Sequence, residues 1–186
     1  MTRRVDPDAL GALLSAGEPP EEACAPRHAE RADFRIVRDG TWLYHGSPIG
    51  RKALVGLFAS VLMHDAAGDY WLVTPVEKVR VEVDDAPFLA VEMRVSGSGE
   101  DQLLSFRTNV DEEVAAGPEH PIRMRPRPES GEPAPYLALR DRLDALIARA
   151  VYYDMVELGV EREIGARRSL GVWSGGAFFA LGALEG

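Results

Sequence analysis

Hydrophobic and polar positions change their period several times along this chain. Residues 34–38 and 41–45, FRIVR and TWLYH, are rich in β-branched and aromatic side chains and flank Asp39-Gly40. An Asp-Gly pair between two such runs predicts an antiparallel hairpin. The next stretch, SPIGRKALVGLFASVLMHD, puts Leu54, Leu57, Phe58, Val61 and Leu62 on one helical face. Ser47 reads as the N-cap of that helix and Pro48 as its first helical position. Gly50 and Gly56 each weaken such a helix by about 1 kcal/mol relative to alanine, so packing has to hold it.

Beyond the turn DAAGD the period falls to two. YWLVTP predicts a strand; VRVEV and FLAVEMRV alternate, and QLLSFRT returns after the glycine-rich tip SGSGED. VRVEV, FLAVEMRV and QLLSFRT, joined by short turns, predict an antiparallel meander. IRMR at 122–125 is one more strand, and 125–135, RPRPESGEPAP, reads as a proline-rich loop. Residues 136–158 then carry the longest helical period. Leu139, Leu143, Leu146, Ile147, Ala150, Val151, Met155 and Leu158 fall on one side, and Gly159 is placed to end the helix. GVWSGGAFFALG closes the chain as a hairpin turned at Ser174-Gly175-Gly176. At the other end, 7–16 predicts a short amphipathic helix capped by Asp6, followed by a polar connector over 17–31.

The architecture expected from these elements is α+β: antiparallel strands with one main helix in each of two halves. The expected divisions are an N-terminal helical segment and connector at 1–30, an N-terminal half at 31–95 and a C-terminal half at 96–186. A coarse repetition of strand, helix and aromatic strand at 41–74 and again at 122–181 suggests related halves. Neither half shows an obvious complete core, which makes a shared interface the expectation.

Charge narrows the function classes. The 186 residues carry 21 Lys+Arg against 30 Asp+Glu, a net charge of −9. General nucleic-acid binding depends on neutralising phosphates, and an acidic chain is poorly suited to it. Cys24 is the only cysteine, so neither an intramolecular disulfide nor a cysteine-rich zinc site can form. No apolar run approaches the ~20 residues of a membrane span. Asp6 and Asp8 interrupt the N-terminal apolar patch, against a signal peptide. A cytoplasmic location is expected.

The chemistry that stands out is at 44–52, YHGSPIGRK, where Arg51 and Lys52 occupy the first turns of the expected helix. Helix starts carry partial positive charge and prefer acids, so cations there are out of place unless an anion answers them. Gly46 lets a ligand approach the backbone, Ser47 offers a hydroxyl, and His45 could protonate beside them. Trp42 or Trp71 could stack on a flat ring. Each residue also has an ordinary reading. Ser47 can cap its own helix, Arg51 and Lys52 can be solvated or paired with Glu77, Asp84 or Asp85, and both tryptophans can be core residues. The Ser174-Gly175-Gly176 turn could cradle an anion, although turn geometry already explains its glycines. His64, Asp65 and Asp69 in HDAAGD read more naturally as a solvated turn than as a cation site. The four histidines lack metal-ligand spacing, and no serine has an identifiable base. No catalytic group, metal site or cofactor is assigned.

Several long strings also resemble a known family. WLYHGSPIGRKALVGLFASVL, YWLVTPVEKVRVEVDDAPFLAVE, LSFRTN, EHPIRM, RAVYYDMVELG and GVWSGGAFFALG, in order from about 31 to 182, are similar to the bacterial family called domain of unknown function 1285. The resemblance implies a duplicated fold whose C-terminal half is superficially like a pleckstrin-homology domain. It also implies a nucleotide-like ligand between the halves and a signalling role, with no established reaction or catalytic residues. The combined expectation is a regulatory module holding a small anionic, nucleotide-like ligand through Trp42, His45, Gly46, Ser47, Arg51, Lys52 and Trp71. One alternative is a protein-interaction module using a sheet face or helix side; another is a hydrolase of a phosphorylated metabolite.

Overall fold

A computed structural model describes residues 27–28, 33–75, 77–165 and 167–184. The expected helix at 7–16 and Cys24 lie outside the described residues. The chain divides into two compact units, Met1–Asp84 and Asp85–Gly186. The seam therefore falls after Asp84, whereas the sequence reading set the division after 95.

The first unit runs β1 (Arg27–His28), β2 (Phe34–Ile36), β3 (Trp42–Tyr44), β4 (Ser47–Pro48), α1 (Lys52–Ser60), β5 (Leu62–His64), β6 (Tyr70–Val73) and β7 (Glu77–Val83). Its sheet has the order β4-β3-β2-β7-β6-β5, with β1 added parallel to β7. The hairpin about Asp39-Gly40 is present: Phe34 pairs with Tyr44 and Ile36 with Trp42, and Gly40 takes φ +83 at the turn. Following the pairs across the sheet puts Phe34, Ile36, Trp42, Leu62, Leu72, Val79 and Val81 on one face, all buried. Phe58 of α1 lies against Phe34 and Trp42 on that face, at centroid distances of 5.3 and 6.2 Å. Each such large side chain contributes about 1.5–3 kcal/mol by leaving water, more than the glycine penalties within α1.

The second unit runs β8 (Phe88–Ser96), a 3₁₀ turn at Gly99–Asp101, β9 (Leu103–Thr108), β10 (Glu113–Ala115), β11 (Ile122–Pro126), β12 (Pro133–Arg140), β13 (Leu143–Ile147), α2 (Arg149–Glu157), β14 (Val160–Ile164), β15 (Arg167–Ser174) and β16 (Ala177–Ala183). Strands β8–β13 form a sheet of order β10-β9-β8-β13-β12-β11, and the last three strands a separate sheet β14-β15-β16. The buried side chains Phe88, Ala90, Leu104, Phe106, Leu137, Ala145 and Ile147, together with Val151 and Met155 of α2, supply the core of this unit. Two bonds of the Ser174 hydroxyl tie the end of β15 to the first sheet: it donates to Ala116 O at 2.7 Å and accepts Leu104 N–H at 2.9 Å.

Several sequence expectations are corrected here. The described chain is mostly strand with two helices, and both large sheets are mixed: β2 runs parallel to β7, and β8 to β13. Strands β7 and β8 are not joined in a meander, because they belong to different sheets. Ser47 and Pro48 do not open α1. They form β4, reached through a two-residue turn in which His45 and Gly46 take φ +47 and +80, a turn of the hairpin kind. Pro48 is tolerated because β4 is an edge. The helix expected over 136–158 is instead two strands and a shorter helix. Asp141 and Arg142, at φ +41 and +66, turn the chain back so that Leu137, Leu139, Leu143, Ala145 and Ile147 bury with period two. A strand–helix–strand order does recur at 41–74 and 122–181, but β5 and β6 after α1 belong to the large sheet of their unit, whereas β14–β16 after α2 form a separate sheet.

Candidate functional site

The structure scatters the residues singled out at 42–71. Trp42 and Trp71 stand on opposite faces of one sheet: Trp42 shares its face with Ile36, while Trp71 pairs with Met63 and Arg80 on the other. They cannot meet one ligand together. Trp71 is also engaged, its indole N–H donating to Asp65 Oδ2 at 2.8 Å while Lys78 Nζ sits 4.2 Å from its ring. His45 occupies the β3–β4 turn, with Nδ1 3.4 Å from Asp33 Oδ1 and its ring 4.2 Å from that of Tyr44. Gly46 completes the turn and Ser47 is exposed on β4, so neither belongs to the start of α1.

Arg51 and Lys52 do stand at that start. Arg51 is the N-cap residue with φ −88 and ψ 103, and Lys52 is the first helical residue. Among the described residues no side chain caps this end, and the first turn holds no acid. The Arg51 carbonyl accepts from Leu54 and Val55, while the amides of Lys52 and Ala53 have no acceptor among the described residues. Ile49 N–H donates to Trp42 O at 2.9 Å, which fastens the segment entering α1 to β3. Beneath the helix, Trp42 is 1% exposed and its Nε1 has no hydrogen-bond partner among the described residues. A buried N–H without an acceptor is uncommon and costs about 1–3 kcal/mol. Arg51 and Lys52 thus stand together at the start of α1, whereas the Trp42 ring packs on Phe58 near the other end of the helix and His45, Gly46, Ser47 and Trp71 lie elsewhere.

Other candidates are consumed by the fold. Asp65 Oδ1 accepts the amides of Ala67 and Asp69, and those bonds with Trp71 hold its carboxyl below the usual carboxylate range. Asp69 pairs with Arg80 at 2.6 Å, so HDAAGD is a self-satisfied turn. Ser174 uses its hydroxyl twice within the protein, and Gly175 N–H donates to Gln102 O at 3.0 Å, which removes the proposed anion cradle. Among the described residues no group of three or more His, Cys, Asp or Glu could hold a metal ion. No described helix is long and apolar enough to cross a membrane.

Two arrangements were missed in the sequence. Tyr136 donates to Asp85 Oδ1 at 2.5 Å, while Asp85 Oδ2 is buried without a partner among the described residues. The Arg125 guanidinium covers the Tyr136 ring at 4.2 Å and pairs with Asp144 at 2.8 Å. Burial first, then the Asp85 hydrogen bond, pushes the Tyr136 phenol well above its ordinary value. A shallow depression over β8–β10 is lined by Glu92, Arg94, Ser105, Phe106, Arg107 and Glu113. Its charges pair with one another: Arg107 with Glu92 at 2.6 Å, and Arg94 with Glu92 and Glu113 at 3.1 and 3.3 Å. Register brought these residues together, and nothing local in the sequence announces it.

Comparison with known proteins places the chain in a family. A model described as "Domain of unknown function (DUF1285), N-terminal domain" matches residues 19–86. A second, "Protein of unknown function (DUF1285), C-terminal domain", matches 87–181. A crystal structure of a DUF1285 family protein from Silicibacter pomeroyi DSS-3 is 44% identical, covers 92% of this chain and 93% of its own, and has a TM-score of 0.78. Another, from Shewanella baltica OS155, is 32% identical over 70% of this chain and 94% of its own, with a TM-score of 0.54. No curated protein matches the chain. The chain belongs to the DUF1285 family.

Proposed function

We propose that this DUF1285 family member is a regulatory module that binds a small anionic ligand of the nucleotide kind at the start of α1. The observation that carries the reading is a cationic, uncapped helix start, with Arg51 as N-cap and Lys52 first, and no acid in the first turn. Free first-turn amides and the helix dipole favour an anion there by about 0.3–1 kcal/mol, and a charge-assisted bond from lysine adds to it. Trp42, 1% exposed with its ring on Phe58, serves the core rather than the ligand in this reading. His45, Gly46 and Ser47 remain peripheral in this reading, and Trp71 serves only a ligand on the opposite sheet face.

Isothermal titration of the full chain with AMP, ADP, ATP and cyclic nucleotides tests it. Lys52→Glu is expected to weaken whichever nucleotide binds by about tenfold to a hundredfold, with the circular dichroism spectrum unchanged. Heat no greater than dilution across the set, or a binding constant indifferent to Lys52→Glu, removes the reading. The matching strand orders of the two large sheets, β4-β3-β2-β7-β6-β5 and β10-β9-β8-β13-β12-β11, support treating the halves as copies of one unit. In both, the first strand of six runs parallel to the last.

A second reading, a protein-interaction module, is favoured by β14, five consecutive exposed residues at the end of a sheet.

A further inference from the structure

We infer that the outer edge of β14 accepts an extended segment of another protein, in the charge pattern apolar–basic–acidic–basic–apolar. The inference deepens the interaction-module reading and is independent of the anion site on α1, so either can fail alone.

Strand β14 reads Val160-Glu161-Arg162-Glu163-Ile164, and it ends the order β14-β15-β16. Among the described residues no strand pairs with its outer side, so a row of backbone N–H and C=O groups faces outward there. Strand addition to such an edge supplies affinity through main-chain bonds and selectivity through alternate side chains. Val160 and Ile164 are 44% and 48% exposed, a large exposure for such residues. They share a face with Arg162, because side chains two apart point the same way. Arg162 is held over the rings of Trp173 at 4.7 Å and Phe178 at 5.4 Å, which stand edge-to-face. That face is therefore apolar with one fixed cation. The opposite face carries Glu161, which pairs with Arg168, and Glu163, whose register partner is Arg168.

The same pattern decides the occupant. A second copy added antiparallel about a two-fold axis normal to the sheet must pair residues of like face. Centring the axis on Arg162 opposes Arg162 to itself and Glu161 to Glu163; centring it on Glu161 or Glu163 opposes that glutamate to itself. Centring it on Val160 or Ile164 avoids like charges but opposes only one residue of β14 to β14, too short an overlap for a stable pair. Like charges directly across a pair of strands are destabilising, so this edge is set against its own copy. A foreign strand escapes the conflict by presenting an acid to Arg162, bases to Glu161 and Glu163, and apolar side chains to Val160 and Ile164. The pattern is symmetric, so it fits in either strand direction.

Fluorescence anisotropy of the full chain with labelled Thr-Val-Lys-Glu-Lys-Val-Thr and its inverse Thr-Val-Glu-Lys-Glu-Val-Thr measures the preference directly. The first peptide is expected to bind about tenfold tighter, from three cross-strand pairs changing sign together. Arg162→Glu should cut that preference from about tenfold to about twofold, because one of the three pairs changes sign, and the triple variant E161K/R162E/E163K should invert it. Hydrogen exchange over 160–164 should slow when the first peptide is added. Equal affinities, no binding of either peptide, or a preference untouched by Arg162→Glu overturns the proposal. So does a dimer in light scattering that Arg162→Glu dissociates, since the edge would then serve a second copy. The wild-type preference needs no variant to fold, and it alone can refute the idea.

Discussion

Replacing Ser174 by alanine tests whether the last three strands are joined to the larger sheet of the second unit by the two bonds described. Ser174 is 0% exposed, and its hydroxyl accepts Leu104 N–H and donates to Ala116 O. Leu104 and Ala116 are themselves 0% and 1% exposed, so water does not replace the lost oxygen without local opening. Alanine removes little volume but strands one amide and one carbonyl, each at about 1–3 kcal/mol, the carbonyl toward the lower end. The expected loss is about 2–4 kcal/mol, a large fraction of a typical domain's 5–15 kcal/mol. Urea unfolding followed by tryptophan fluorescence reports it, Trp173 being adjacent in sequence. The neighbouring bonds, Gly175 N–H to Gln102 O and Gln102 Nε2 to Trp173 O, persist in the variant and keep the strand end in place. A midpoint shift worth less than about 0.5 kcal/mol would refute the reasoning.

Two further predictions concern the same unit. At Gly171 a Cβ would lie 2.5 Å from Phe178 Cζ and 2.5 Å from the Phe179 carbonyl oxygen. Gly171→Ala should therefore cost about 1–3 kcal/mol or more and alter the near-ultraviolet dichroism of the Trp173–Phe178 pair; an unchanged spectrum and stability would contradict the packing. Glu92 is held below its ordinary value near 4.5, first by the Arg107 hydrogen bonds and then by the charges of Arg107 and Arg94. A depressed carboxyl lends stability above the unfolded value and loses it as pH falls through the folded one. Urea midpoints should drop between about pH 5 and pH 3, and Glu92→Gln should flatten that drop; an equal slope in the variant would show that other carboxylates dominate.

Local chemistry was legible where a turn residue fixed the answer. Asp39-Gly40 marked the first hairpin and Gly175-Gly176 the last because each needs positive φ, which the chain advertises. The same rule was hidden at His45-Gly46, where Ser47-Pro48 carries a helix-opening signature equally well. At 136–158 the leucines satisfy a helical period and a strand period together. What decided between them was burial against β8, a parallel partner in which Phe88 stands opposite Ala145, far away in sequence. The parallel joins of β2 with β7 and β8 with β13 left no mark, since pairing across a sheet has no local signature. Of the site, the sequence located Arg51 and Lys52 at a helix start correctly, but not the face that Trp71 would occupy, because that depends on register alone.

The use of cations in this chain bears on both readings. The protein is acidic, and only Lys52 and Lys78 are lysines, so arginine carries nearly all its positive charge. Most described arginines are committed: Arg35, Arg80, Arg94, Arg107, Arg125, Arg140 and Arg168 to carboxylates, and Arg149 and Arg162 to aromatic rings. Arginine suits both uses, being planar and able to stack while it pairs. Lys78 rests on Trp71, which leaves Lys52 as a lysine forming no ion pair among the described residues. Exposed pairs contribute little, about 0–1 kcal/mol, so pairing alone does not explain why Lys52 stands where the helix dipole opposes it. An acid at 52 would stabilise α1 in the free protein. Lys52→Glu should therefore raise the unfolding free energy by about 0.3–1 kcal/mol while it weakens anion binding. A variant that loses both stability and nucleotide heat would point instead to an ordinary structural role for the lysine.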